Sequence, residues 1–183
     1  MRLSLIASLV VSAALSACGT MPNWTSPSKL DPAVFSAKDT GVLVMSAGAK
    51  SSCQSMATAL VAHYQETRKP VEGVVVFVDN YVHTSEVEGY HGLITALQMK
   101  PGQYFFTAGI ANPFMKVEKT PEFPFEIKAG ETVYLGEVYM PRSCTSSTLF
   151  TVNDRETRDV AIATKANPAV AQRPVVKRIM EIR

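Results

Sequence analysis

The chain is poor in the residues from which reaction centres are commonly assembled: three histidines, three cysteines and a single tryptophan among 183 residues. No Gly-x-Ser-x-Gly, His-Glu-x-x-His or glycine-rich nucleotide loop occurs, so the best-known signatures of acyl transfer, zinc proteolysis and phosphate cradling are missing. Gly48–Ala49–Lys50–Ser51 is too loosely spaced to wrap a phosphate in backbone N–H groups. Charge of one sign is lacking as well. A net charge of +2 with no basic stripe gives no case for nucleic acid. No apolar run reaches the roughly 20 residues that a membrane-spanning helix needs, and no internal repeat is evident. Nothing in the composition demands a metal or cofactor, because a chain of this length can bury roughly 70% of its unfolded surface around one core.

What is present begins at the N-terminus. Met1–Arg2 is a short positive region, and Leu3 to Leu15 is apolar except for Ser4, Ser8 and Ser12, the shape of a secretory signal. It closes on Leu15–Ser16–Ala17–Cys18–Gly19, which resembles the lipobox of bacterial lipoproteins. That resemblance implies cleavage after residue 17, a diacylglycerol on the Cys18 thiol and a further acyl chain on its amine, several chains anchoring where one would be marginal. Gly19 stands where an Asp tends to retain such proteins in the inner membrane. The expectation is therefore a lipid anchor in the outer membrane of a Gram-negative cell, with the body facing the periplasm. The alternative is a plain cleaved signal with a chance cysteine. Residues 18–40 hold Pro22, Pro27 and Pro32 and show no periodicity, so they read as a flexible tether.

Setting Cys18 aside leaves Cys53 and Cys144. Export places them in an oxidising compartment, where an even pair is expected to be bridged. The link would close a loop of about 90 residues and contribute roughly 4–5 kcal/mol on the chain-entropy model. Two buried free thiols are the alternative.

The body is expected from residue 41 to residue 152, and its patterning is that of strands. Tyr104, Phe106, Ala108 and Ile110 fall on one side of an extended chain, as do Phe123, Phe125 and Ile127, with Glu122, Glu126 and Lys128 opposite. Pro101–Gly102 and Ala129–Gly130 supply the turns. Val42–Ala47 reads as a buried strand, and Val71–Asp79, apolar on both faces, as a strand covered on both sides or at a sheet centre. Met56–Glu66 fits both a helix and a strand, and its place between strands favours the strand. His91–Leu97, Glu131–Met140 and Thr145–Val152 complete the set. Residues 153–183 change pattern. Asn153–Asp154–Arg155–Glu156 has the form of a helix start, Thr157–Ala166 is helical with Arg155 able to meet Asp159, Pro168 stops it, and Pro174–Glu181 suggests a second short helix packed on the sandwich.

Leu97-x-x-x-Pro101-Gly102-x-Tyr104 and Phe123-x-Phe125-x-Ile127-x-Ala129-Gly130-Glu131-x-x-Tyr134-Leu135-Gly136 resemble bacterial lipoproteins related to the DUF2846 group. They also resemble carboxypeptidase-regulatory and transthyretin-like domains. The resemblance covers residues 41–152 and implies a mainly β protein, an antiparallel immunoglobulin-like or transthyretin-like β-sandwich of seven or eight strands, here followed by one or two C-terminal helices. It carries no catalytic residues.

One loop collects chemistry. Tyr81, His83, Glu86, Glu88, Tyr90 and His91 lie within eleven positions. His83-x-x-Glu86 and Glu88-x-x-His91 could offer four ligands to a metal, but they match no known spacing, and a solvated loop is the plainer reading. Tyr81, Tyr90 and Phe114 sit at loop ends and could form a recognition patch or ordinary rim packing. The expectation is thus a non-enzymatic envelope lipoprotein with a protein partner, no catalytic residues, no metal and no cofactor. The alternatives are a module that binds a sugar or peptidoglycan fragment through that loop, and a metal-dependent enzyme.

Overall fold

The structure, a computed structural model, describes residues 26–50, 58–78, 83–110, 120–141 and 149–183. It is mainly β, with nine strands in two sheets and one α-helix among the described residues. The strands are β1 (Gly41–Ala49), β2 (Thr58–Tyr64), β3 (Pro70–Phe77), β4 (His91–Met99), β5 (Gly102–Ile110), β6 (Glu122–Ile127), β7 (Thr132–Met140), β8 (Thr151–Asn153) and β9 (Val175–Lys177), with α1 (Glu156–Ala166) between the last two.

One sheet runs β3-β2-β5-β6 and is antiparallel throughout. The other runs β4-β1-β7, and β7 carries two short strands on its far edge: β9 beside Thr132–Tyr134 and β8 beside Glu137–Tyr139. The sandwich is mostly antiparallel, as expected, with two parallel pairings. β1 pairs with β7 in parallel, and so does β9. The tight turns at Pro101–Gly102 and Ala129–Gly130 form as expected, the latter with Gly130 at φ +71°.

The β4-β1-β7 sheet is covered on both faces, which is why all nine residues of β1 are buried. Leu43, Met45 and Ala47 point into the core between the sheets, against Leu60, Val76, Phe106 and Phe123. Val42 and Val44 point the other way, into a second core with Ile94, Ala96, Phe35, Ala163 and Val170. Helix α1 and the segment ahead of β1 supply that second layer.

Two expectations fail on this outer face. Residues 26–40 are not tether: two 3-10 turns, Pro27–Lys29 and Pro32–Phe35, lie on the sheet, Asp31 caps the second at 2.8 Å, and Phe35 is 1% exposed. Asn167, just past α1, donates to the Pro27 and Leu30 carbonyls at 3.1 and 2.9 Å and staples the segment down. Pro174–Glu181 is not helical. Pro174 biases Arg173 to extended backbone, and β-branched Val175 and Val176 continue it as β9, with a 3-10 turn at Pro168–Gln172 before it.

Val71–Asp79 is corrected too: β3 is an edge strand, with Val74 and Val76 facing the core while Val75 and Phe77 are half-buried. Gly73 at φ +73° interrupts its ladder, a device that blunts an exposed edge. The other edge of that sheet is occupied by the C-terminus, where Glu122 and Arg183 exchange both backbone hydrogen bonds at 3.1 and 2.9 Å. The ambiguous Met56–Glu66 stretch is a strand over Thr58–Tyr64, and the helix expected from Thr157 begins one residue earlier.

Candidate functional site

The charged centre of the molecule lies between the outer face of the β4-β1-β7 sheet and α1, and a glycine creates it. Gly136 has φ +98° and forms a bulge: Val44 pairs with Tyr134 and Ser46 with Glu137, so two residues of β7 face one of β1. Without the extra residue, strand alternation would turn Glu137 into the apolar core. With it, Ser46, Tyr134 and Glu137 share the face that meets the helix. There Asp159 and Glu137, 0% and 2% exposed, flank the Arg158 guanidinium.

Each acid is occupied. Asp159 Oδ2 accepts from the Ser46 hydroxyl at 2.5 Å and the Tyr134 hydroxyl at 2.7 Å, while Oδ1 accepts from Arg158 Nε at 2.8 Å. Glu137 Oε1 accepts from an Arg158 terminal nitrogen at 2.7 Å and from the Tyr90 hydroxyl, and Oε2 accepts from Asn153 Nδ2 at 3.2 Å. Arg158 also donates to Tyr90, and the Arg155 amide donates to Tyr134 Oη at 3.1 Å. Burial alone would push the Glu137 carboxyl up, but hydrogen bonds from Tyr90, Arg158 and Asn153, with the Arg158 charge, hold it below the ordinary carboxylate value. Burial, then the bond to Glu137, pushes Tyr90 up to about 12; burial and Asp159 push Tyr134 far up. A proton-transfer group is most effective with a pKa near the working pH. Glu137 and the two tyrosines are displaced away from neutrality, and the acids have their lone pairs engaged. The arrangement acts as an ionic pin holding helix to sheet.

The expected meeting of Arg155 with Asp159 does not occur: the Arg155 side chain lies 3.7 Å from Glu137, and Asp159 turns inward. Just ahead of the helix Asp154 accepts from the Glu156 amide at 3.1 Å, and Lys177 of β9 pairs with Asp154 and Glu156 at 2.8 and 2.9 Å. From sequence, the pin left only a faint trace: Ser46 and Glu137 interrupt otherwise apolar strands.

Five of the six loop residues named from sequence can be placed, and two of them, Glu86 and Tyr90, turn inward. Glu86 folds back, and its Oε2 accepts from the Ile94 amide at 2.7 Å; burial raises its pKa, opposed by that bond. Ser85 Oγ sits inside the loop, accepting from the Val87 and Gly92 amides at 3.2 and 3.0 Å. Tyr90 reaches the pin, edge-on to Tyr139 with ring centres 5.1 Å apart. It lies so close over Gly48 that a Cβ there would come within 2.8 Å of its ring. His83 packs near Phe77 at 6.5 Å between ring centres, its pKa lowered by burial and the Lys29 charge. Glu88 is exposed and His91 half-buried. Among the described residues no three His, Cys, Asp or Glu side chains gather to hold a metal, and the His83/Glu86/Glu88/His91 set does not converge. Tyr81, Phe114, Cys18, Cys53 and Cys144 lie outside the described residues, and so do the proposed anchor and bridge.

A concave aromatic site lies elsewhere. A cleft of about 830 Å³ opens between the β2–β3 turn (65–69) and the β4–β5 turn (100–101), and Tyr64 and Tyr104 line it. Strand β4 separates it from the 83–90 loop; nine residues in extended conformation span about 26–30 Å.

Fold and site together define a two-sheet β-sandwich whose outer face is sealed by a pinned helix. No protein-family model matches the chain, and no curated protein matches it. Among solved structures, a candidate cell adhesion protein from Bacteroides fragilis NCTC 9343 is similar at 9% identity and a TM-score of 0.34, over 65% of this chain. The chain spans less than half of that protein, 47% of its length. A likeness this distant carries no argument about function.

Proposed function

We propose that this chain is an outer-membrane-anchored lipoprotein, facing the periplasm, that works as a non-enzymatic structural or protein-interaction module of the cell envelope. The observation that carries the non-enzymatic part is the saturation of its buried acids: Glu137 and Asp159 are engaged by Arg158, Asn153 and three hydroxyls, which supports a role in rigidity. The anchoring part rests on Leu15–Cys18 and on reach. Ser26 is eight positions after Cys18, at most about 29 Å when extended, so an acylated Cys18 would hold the folded body close to the lipid surface.

The test is acyl labelling and membrane fractionation in the native host. Cys18→Ala is expected to abolish labelling and release the protein from the membrane fraction, and crosslinking of intact envelopes with the unaltered chain is expected to recover a protein partner. A Cys18→Ala protein that is still labelled and still fractionates with the membrane overturns the anchor.

The cleft favours a second reading, a binding module for a sugar or peptidoglycan fragment, at the opposite end of the sandwich from the loop that the sequence singled out.

A further inference from the structure

We infer that the cleft lined by Tyr64 and Tyr104 is a binding site for a carboxylate-bearing saccharide, an inference that rests on the second reading above. The platform is built before any ligand arrives. Tyr64 is 41% exposed, yet it packs on Tyr104, which is 3% exposed, with ring centres 5.5 Å apart. Tyr104 is fixed in turn by stacking on Phe125 at 5.5 Å, and Phe125 stacks on Phe106 at 4.7 Å. The Tyr104 hydroxyl donates to the Lys100 carbonyl at 2.8 Å. A flat, immobilised ring at the mouth of a cleft gives the apolar face of a pyranose a surface to lie on at little entropic cost.

The walls are equally fixed. The Tyr64 amide donates to the Lys69 carbonyl at 3.0 Å, the Arg68 amide to the Tyr64 carbonyl at 2.9 Å, and the Gln65 amide to the Gln103 carbonyl at 3.0 Å. Arg68 is committed elsewhere, paired with Glu122 and 4.3 Å above the Phe105 ring. The cleft is of the size that small ligands occupy, and its lining adds the polar groups of Gln65 and Gln103 to the tyrosines.

Charge then selects among sugars. Lys69 and Lys100 line the cleft against one carboxylate, Glu66, and neither lysine is in a salt bridge among the described residues. A lining with one positive charge in excess beside a stacking platform suits a saccharide that carries an acid. Position points the same way. The segment at Pro27–Leu30 is stapled near the end of α1, and Lys29 acts on His83 in the loop before β4, whereas the cleft lies beyond the far end of β4. A body moored through Cys18 would turn this cleft away from its own membrane, toward saccharide in the periplasm.

The experiment is isothermal titration of the full chain, in detergent at low ionic strength. The probes are the disaccharide of N-acetylglucosamine and N-acetylmuramic acid, its uncharged counterpart chitobiose in the N,N′-diacetylated form, and a polyproline peptide. The acidic disaccharide is expected to bind at least tenfold more tightly than chitobiose. Tyr64→Ala should weaken both sugars tenfold or more, while Tyr64→Phe keeps the platform and the affinity. Lys69→Gln with Lys100→Gln should bring the acidic sugar down to the affinity of chitobiose and flatten its salt dependence. Equal binding of the two sugars that is lost in Tyr64→Ala overturns the carboxylate preference and leaves the saccharide reading standing. Binding of neither sugar, or preference for the peptide, overturns both.

Discussion

Arg158→Met removes the guanidinium and keeps most of the aliphatic stem, so it tests the pin with little loss of packing. The variant forfeits the contacts to Glu137 Oε1 and Asp159 Oδ1, both at 2.7 Å, the weaker one to Ser46 at 3.3 Å, and the bond to Tyr90. Asp159 keeps two hydroxyl donors, and Glu137 keeps Tyr90 and Asn153. What is left is two carboxylates, 2% and 0% exposed, with their principal counter-charge gone. Breaking a buried ion pair by removing one partner costs about 3–5 kcal/mol, because the survivor stays desolvated and unpaired. At about 2–4 °C per kcal/mol for a chain of this size, the melting temperature should fall by roughly 6–20 °C.

The decisive comparison adds Glu137→Gln and Asp159→Asn to Arg158→Met. With no charge left in the cluster, the stranded-carboxylate penalty vanishes, and the triple variant should be more stable than Arg158→Met alone, by about 2 kcal/mol in urea unfolding. Chemical denaturation with matched fluorescence and circular-dichroism probes reads both. If Arg158→Met costs under about 1 kcal/mol, within the range of an exposed ion pair, the guanidinium is a solvated surface group and the reasoning fails.

Acidity should act on two carboxyls with opposite sign. Glu137 is held below its ordinary value, so its stabilisation is present above the unfolded glutamate pKa of about 4.3 and is lost as pH falls through the depressed folded value; Glu137→Gln should flatten the acid limb of a stability–pH curve. Glu86 is raised, so its ionisation weakens the fold as pH climbs past the unfolded value; Glu86→Gln should gain stability at pH 7 relative to pH 4, and an equal effect at both would refute that sign. Gly136→Ala should cost about 1–3 kcal/mol in urea unfolding, since its backbone is left-handed and the new Cβ would stand 3.0 Å from Val152 Cγ1; a cost under about 0.5 kcal/mol removes the argument for the bulge. Non-reducing mass mapping of envelope material should join the peptides carrying Cys53 and Cys144, and two alkylatable thiols would count against the bridge.

The sequence announced what local chemistry can announce. β5 and β6 were legible because Tyr104, Phe106 and Ala108, and Phe123, Phe125 and Ile127, recur at every second position, although the opposite face of β5 carries Phe105, which is buried beneath Arg68. Helix α1 was legible from its spacing and from Pro168. Strand pairing was not: nothing in Val42–Ala47 states that its neighbour is Thr132–Met140, ninety residues on and parallel. The apolar run in β3 suggested a sheet centre, because composition does not distinguish a covered strand from an edge whose outer face is partly packed. Glu86 looked solvated because it is charged and lies in a loop, yet β4 is an edge strand whose Ile94 amide needs an acceptor, and Glu86 is the one that folds onto it. The ordering of residues 26–40 was hidden in the same way, because Phe35 finds its apolar partners, and Asn167 the Pro27 and Leu30 carbonyls, only once the helix is in place.

The pin and the second core explain each other. Both faces of β1 are buried, and a helix laid over a sheet by apolar contact alone can slide, since hydrophobic burial is non-directional. Val42, Val44, Ile94 and Ala163 would tolerate several placements of α1. The bonds from Arg158 to Glu137 and from Ser46 and Tyr134 to Asp159 tolerate one, because each shift would strand a buried carboxylate. The bulge at Gly136 is what brings Glu137 to that face, so a single left-handed glycine sets the register of the helix against the sheet. Through Tyr90 the same pin draws the 83–90 loop onto the sheet. Electrostatics here works to fix the body, which leaves exposed surface such as the cleft at Tyr64, far from the pin, as the part of the molecule free to meet something else.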